Sequence, residues 1–212
     1  VELDLAFPYQ KLNLMNLKLL IYMKKHRNRV PRVGDVLLSE PFLQDENFSR
    51  SVVLICEHEG ETGTVGFVLN KPSILNLEDL VSKLDFLSAE VFVGGPVEQN
   101  TLHFIYVGEQ LVLDSKPLGN ELWWGGDFSS LIQCIHTGKL NLSQVRFFMG
   151  YSGWSAGQLE TELIEDTWIV YTDPILKAHL SVSPDQLWRS LMRRMGGEFE
   201  IQSNYPIDPR LN

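Results

Sequence analysis

Apolar positions from Gly34 onward fall into short, β-branched runs separated by turn residues, the pattern of strands more than of helices. Asp35–Ser39 (DVLLS) predicts a strand that stops at Glu40-Pro41, because proline holds the preceding residue extended and donates no N–H. Ser51–Cys56 (SVVLIC) is apolar without interruption, which predicts a strand covered on both faces. Across the turn Glu59–Gly63, Thr64–Leu69 (TVGFVL) predicts its hairpin partner. Further strands are predicted at Glu90–Val93, Leu102–Val107, Leu111–Asp114 and Trp168–Thr172, with a Trp123-Trp124 segment between the third and the next helix.

Helical spacing is confined to fewer places. Asn76–Ser82 predicts a short helix capped by Asn76, with Glu78 and Asp79 in the first turn where the dipole favours anions. Phe128–His136 predicts a second, started by Asp127 and ended by Gly138. Pro184–Met195 predicts a third, with a Ser183/Gln186 capping box, an apolar stripe of Leu187, Leu191 and Met195 with Trp188, and Gly196-Gly197 as the stop. Strands outnumber helices and do not alternate strictly with them, so the pattern predicts an α+β fold.

The first 32 residues differ: apolar spacing at Leu12, Leu17, Leu20 and Ile21 is followed by Lys24, Lys25, Arg27, Arg29 and Arg32 with no acid among them. Residues 1–32 are read as an N-terminal arm and 33–212 as one domain, a length sufficient for a core without metal or disulfide staples. Leu12–Met23 is too short to span a bilayer and lacks the flanks of an export signal, which predicts a cytoplasmic protein with no membrane association. Cys56 and Cys134 sit in apolar runs without C-x-x-C spacing and are expected as buried free thiols. The formal net charge of −9 disfavours phosphate backbones as partners. Direct nucleic-acid binding is therefore confined to one alternative, the basic arm, since Arg189, Arg193 and Arg194 are expected on the solvated face of the last helix and no recognition motif accompanies them.

Candidate chemistry is sparse. Cys56 and His58, or Glu57 and Glu59, lie two apart on a strand, about 7 Å between Cα atoms on one side, a spacing open to a thiol–imidazole pair or half a metal site. A hydrolase would draw on His58 or His103 with Glu57, Glu98 or Glu160 as acid–base groups. Gly94-Gly95 leads into Pro96 and a strand, and Gly125-Gly126 into Asp127, so both pairs read as turns and not as phosphate loops. Gly150–Glu160 (GYSGWSAGQLE) reads as a bend around two aromatics followed by a helix from Gln158, started by a Ser155/Gln158 capping box, with Gln158 and Glu162 on one face and Leu159 and Leu163 turned inward.

Five ordered segments, Gly34–Pro41 (GDVLLSEP), Phe48–His58 (FSRSVVLICEH), Gly66–Pro72 (GFVLNKP), Phe92–Glu98 (FVGGPVE) and Gly150–Glu160, together resemble the AlgH/YqgE family of bacterial proteins, over about Gly34 to Thr172. Ser152 and Ser155-Ala156 depart from the small or Gly-Pro residues of the family pattern. The resemblance implies a mainly antiparallel, branched sheet curled into a pseudo-barrel and flanked by helices. It also implies a regulatory role, associated with transcription through alginate synthesis, and brings no catalytic residues, cofactor or metal. Combined with the glycine turns and polar groups, it predicts a non-enzymatic module that binds a protein partner or small ligand in a cleft formed by Gly94, Gly95, Pro96, Glu98, Trp154, Gln158 and Glu160.

Overall fold

The structure, a computed structural model, describes residues 29–59, 61–81, 87–175 and 177–206. The apolar spacing of Leu12–Met23 and most of the basic run lie outside these residues. In chain order the elements are β1 (Val36–Ser39), β2 (Val52–Glu59), β3 (Gly63–Val68), β4 (Pro72–Asn76), α1 (Leu77–Leu80), β5 (Glu90–Val93), β6 (Val97–Val107), β7 (Lys116–Gly119) and β8 (Leu122–Trp124). These are followed by α2 (Phe128–His136), a 3-10 turn (Leu142–Gln144), β9 (Val145–Trp154), α3 (Gln158–Ile164), β10 (Trp168–Tyr171), α4 (Lys177–Leu180), α5 (Pro184–Met195) and α6 (Gly197–Gln202).

The strands form one branched, mostly antiparallel sheet in the order β10-β1-β2-β3-β9-β6-β8-β7. The branch is at β9. Along one edge β9 pairs with β6 from Val145 to Tyr151; along the other, Phe147–Met149 pair with β5 in parallel and Ser152–Trp154 pair with β3. Gly94 sits where β3 and β5 part: its N–H donates to Met149 O, its carbonyl accepts from Val68 N–H, and Ser152 Oγ donates to the same carbonyl. A Cβ at Gly94 would lie 2.3 Å from Gly150 O and 2.9 Å from a Phe67 ring carbon. Gly150 takes φ +64° to turn the strand from one partner to the next, a conformation open to glycine at little cost.

The sheet curls strongly but stays open, with no ladder between its end strands β7 and β10 among the described residues. Curvature still carries β7 to the far side, where Leu118 O abuts Gly34 and Lys116 Nζ reaches Glu57 Oε2 of β2 at 3.0 Å. Both faces of β2 are covered, as its uninterrupted apolar run predicts. Val52, Leu54 and Cys56 join the core under α5 and α6, while Val53 and Ile55 pack with Leu159 and Leu163 of α3. A third cluster lies between β5, β6, β9 and α2 around Phe104, Tyr106 and Phe147.

Several expectations are corrected. Leu111–Asp114 is a loop and not a strand, held by Val112 N–H and Ser115 Oγ at the Tyr106 hydroxyl. Gly150–Trp154 is the continuation of β9 instead of a bend, Gly150 serving the change of partner. The cap of α3 is Gly157 at φ +75°, and of the expected box only Gln158 Oε1 accepting from Ser155 N–H is present. Ser183 makes no side-chain cap at α5: the Gln186 backbone N–H goes to the Ser183 carbonyl, and the Gln186 side chain, the other half of the expected box, donates to Asp185. Gly196-Gly197 ends α5 only to begin α6, and β4 and β7 add strands that short, Pro-containing segments conceal.

One buried cation ties three elements. Arg146 of β9 donates to Leu69 O at 2.7 Å and to Leu180 O, and its guanidinium lies 4.3 Å over the Phe92 ring. Burial pulls its pKa down to about 10, so it stays charged at neutral pH. Arg146→Met keeps most of the stem but strands two carbonyls, each costing about 1–3 kcal/mol when buried without a donor; urea unfolding should show a loss of about 2–4 kcal/mol.

Candidate ligand-binding cleft

The motif residues at the end of β9 converge on one carboxylate. Glu162 of α3 accepts from Trp154 Nε1 (2.8 Å) and Trp168 Nε1 (2.7 Å) on Oε2, and from Gln158 Nε2 (3.0 Å) on Oε1. Two indoles from β9 and β10, strands separated by three others in the sheet, and the first residue of α3 are thereby fixed relative to each other. Trp154 is 5% exposed and its ring packs edge-on against Trp168, so it offers no surface to a ligand. This accounts for why Trp154 and Gln158 are those residue types. Glu162, noted in the sequence only for sharing a face with Gln158, is their common acceptor.

The remaining expected site residues lie in two other places. Gly94, Gly95 and Pro96 are at the branch, with Gly95 on a groove of about 410 Å³ beside Asn70 and Lys71. Glu98 is exposed at φ +45°, its carbonyl accepting from Thr101 Oγ1. Val97 pairs with Tyr151, which brings the Gly94–Glu98 turn to the middle of β9. Glu160, by contrast, projects from α3 onto a separate groove of about 330 Å³ with Val30, Leu163 and Ile164. Neither groove takes in both the Gly94–Glu98 turn and the Trp154–Glu160 segment.

The imidazoles have distinct surroundings. His58 Nδ1 is 2.7 Å from Thr64 Oγ1 and its Nε2 is 3.9 Å from Glu160. Cys56 is the extra residue of a bulge in β2, its thiol turned to Leu54 O and driven well above the ordinary range by burial and then by Glu57, which keeps it protonated. Cys134 is also a buried free thiol. No group of three or more His, Cys, Asp or Glu residues placed to hold a metal occurs among the described residues.

A larger recess lined by polar and aromatic groups lies elsewhere, a cleft of about 570 Å³ between the middle of β6, the start of β7 and the end of β8. Val81, Leu102, Phe104, Trp124 and Phe128 give it apolar walls, and Gly125-Gly126 form a stretch without side chains. His103, Asp114 and Lys116 supply polar groups. The hairpin β7–β8 sets Lys116 opposite Trp124, and the ammonium lies 4.9 Å over that ring while bonded to Glu57. This hairpin is absent from the sequence expectations; Gly119-Asn120 followed by Leu122-Trp123-Trp124 is the signal that could have revealed it, the turn being made by Asn120 and Glu121 at φ +51° and +59°.

His103 packs on Phe67 (5.1 Å), as Trp124 does (6.0 Å), so the two rings stand side by side on one support. Burial pushes His103 below the ordinary imidazole value, against a smaller opposing effect from Glu98. The Thr101 hydroxyl has one hydrogen, given to Glu98 O, so the 2.9 Å contact between Thr101 Oγ1 and His103 Nε2 is made by Nε2–H donating. Nδ1 of the neutral ring is then an acceptor.

Comparison with known proteins agrees with this fold. The AlgH-like family model matches residues 36–200, most of the chain. The chain belongs to the AlgH-like family. The match includes α5, which the sequence reading set outside it. A UPF0301 protein of Cytophaga hutchinsonii is 43% identical over 180 residues, covering 84% of this chain and 98% of its own. A UPF0301 protein of Parabacteroides distasonis is 37% identical, covering 91% and 97%. Among solved structures, a Corynebacterium diphtheriae protein superposes with a TM-score of 0.69 at 26% identity over 86% of this chain and 97% of its own. AlgH from Pseudomonas aeruginosa does so with 0.63 at 27% over 84% and 97%. The AlgH-like chain thus shares its open, curved sheet with solved relatives.

Replacing Glu162 tests the convergence in this AlgH-like chain. Glu162→Ala deprives two indole N–H groups and an amide of their acceptor, for an expected loss of about 2–4 kcal/mol in urea unfolding. Glu162→Gln retains an acceptor oxygen and should lose less than half as much.

Proposed function

We propose that the protein is a non-catalytic, cytoplasmic regulatory module comprising residues 33–212, whose activity is to bind a small ligand in the His103–Trp124 cleft. The observation that carries this is the cleft itself: about 570 Å³ with aromatic walls and three polar side chains, within the roughly 300–1,000 Å³ typical of small-molecule sites. The two unpaired, buried thiols suit a reducing compartment. Val93, on the groove that holds Gly95, and His103 pair with adjacent residues of β9, Met149 and Phe148, and in this reading the Gly94–Glu98 turn positions His103 through Thr101. Ligand occupancy would act through a protein partner more readily than through DNA, since Arg189 is spent on Ser203 O and Arg193 on Asn204.

A hydrolytic reading would draw on Glu160, His58 and Thr64, which fall in a carboxylate–imidazole–hydroxyl series. Thr64 is 4% exposed, and a nucleophile needs a substrate carbonyl within reach, which favours binding over catalysis. A fragment screen by thermal shift tests the proposal. Hits that raise the melting temperature by about 2–4 °C, the equivalent of roughly 1 kcal/mol at this size, should lose that shift in Val81→Trp, which fills the cleft. Hits whose shifts survive this substitution bind elsewhere and refute the proposal.

A further inference from the structure

We infer that the cleft is built for an aromatic acid carrying a ring N–H or O–H: a planar body between apolar walls, its donor edge toward His103 and Asp114, its carboxylate toward Lys116. This rests on the ligand-binding reading above and adds the ligand's chemical class. The walls are mainly aromatic, and rings prefer offset or edge-on contact with such surfaces over aliphatic chains of the same size. Among the polar groups, His103 Nδ1 and the exposed Asp114 carboxylate only accept, so a ligand edge facing them is matched by a donor and not by another acceptor.

Among the described residues Lys116 is the only cationic side chain lining the cleft, and it is held there by two contacts that an acid can share or displace. Its side chain is 63% exposed and that of Glu57 34%, and an ion pair so open to water contributes little, so exchanging Glu57 for a ligand carboxylate is nearly free of cost. An ammonium has three donors, which also allows both carboxylates at once. The ammonium's position over Trp124 puts the acid end of a ligand just beyond the ring on which its body would rest. The acceptors and the cation therefore give the cleft a direction: a basic amine in place of the acid would meet Lys116, and an acid at the other end would meet Asp114.

The test uses the full chain and four probes of nearly one shape: indole-3-acetate, 1-methylindole-3-acetate, indole and tryptamine. Binding is followed by amide shifts of Gly125 and Gly126 in two-dimensional NMR titrations. Indole-3-acetate should bind best, with indole about tenfold weaker, the N-methylated acid about tenfold weaker and tryptamine weaker still, each step being about 1.4 kcal/mol. Lys116→Gln should abolish the advantage of indole-3-acetate over indole, while Glu57→Gln, by freeing the ammonium, should increase it two- to fivefold. Both substitutions are on exposed or half-exposed side chains, and an unchanged spectrum away from the cleft confirms the fold. Tryptamine or indole binding at the cleft as tightly as the acid overturns the ligand class but leaves the cleft a binding site. If none of the four probes moves Gly125 or Gly126 while the fragment screen finds cleft ligands, the class alone fails; if both are negative, the binding reading falls with it.

Discussion

A β-strand has two hydrogen-bonding edges, and β9 serves three neighbours. One edge is given wholly to β6, so the other has to be divided between β5 and β3. A divided edge cannot hold two ordinary strands side by side, because strands are about 4.8 Å apart and each needs that width. One must peel away where the other arrives. Gly94 and Gly150 meet at that point with a separation no Cβ would permit, and the Gly94 carbonyl serves both Val68 N–H and Ser152 Oγ. The branched sheet is thus a consequence of where side chains are missing.

From the branch follow the curvature and the layers. The β10-β1-β2-β3 arm turns one face to α3 and the other to α5, while the β6-β8-β7 arm continues the curl until Lys116 and Leu118 reach β2 and the start of β1. Arg146 and Glu162 secure the two ends of β9. Arg146 does so with backbone carbonyls of β3's end and α4, Glu162 with the indoles of β9 and β10. These two side chains have opposite charge and the same task, and each satisfies groups that would otherwise be buried without a partner.

Much of the fold was legible because hydrophobic period and turn chemistry agreed. Val52–Cys56 reads as a doubly covered strand and is one, and Asp127 caps α2 through Ser130 N–H as its position predicts. Local signals failed where tertiary contacts chose otherwise. Ser155 and Ser183 have the spacing of capping boxes, yet Gly157 in the left-handed region starts α3, and at α5 the Gln186 N–H takes the Ser183 carbonyl instead of its hydroxyl while the Gln186 side chain goes to Asp185. The apolar run Leu111–Asp114 lacks a strand to pair with and instead closes over Tyr106. The cleft was less legible still. His103 was named for its chemistry, but Lys116, Asp114 and Trp124 enter only through a short hairpin with proline in one strand, and nothing local brings Glu57 to Lys116 across 59 positions.

The glycine-rich segment that dominates the sequence is accordingly an architectural signature, and the binding surface lies where architecture leaves off. Gly150 lets β9 change partners; Trp154 and Gln158 are consumed by Glu162. At the other end of the curl, β8 stops after three residues and Gly125-Gly126 leave the sheet toward α2, so among the described residues no further strand covers Trp124 and Phe128. An unfilled edge of that kind is where apolar walls remain open to a ligand. The residues that make the fold recognisable and those that give the cleft its polarity are therefore separate sets, coupled through His103, which rests on Phe67 of β3 and is held by Thr101 in the irregular first half of β6.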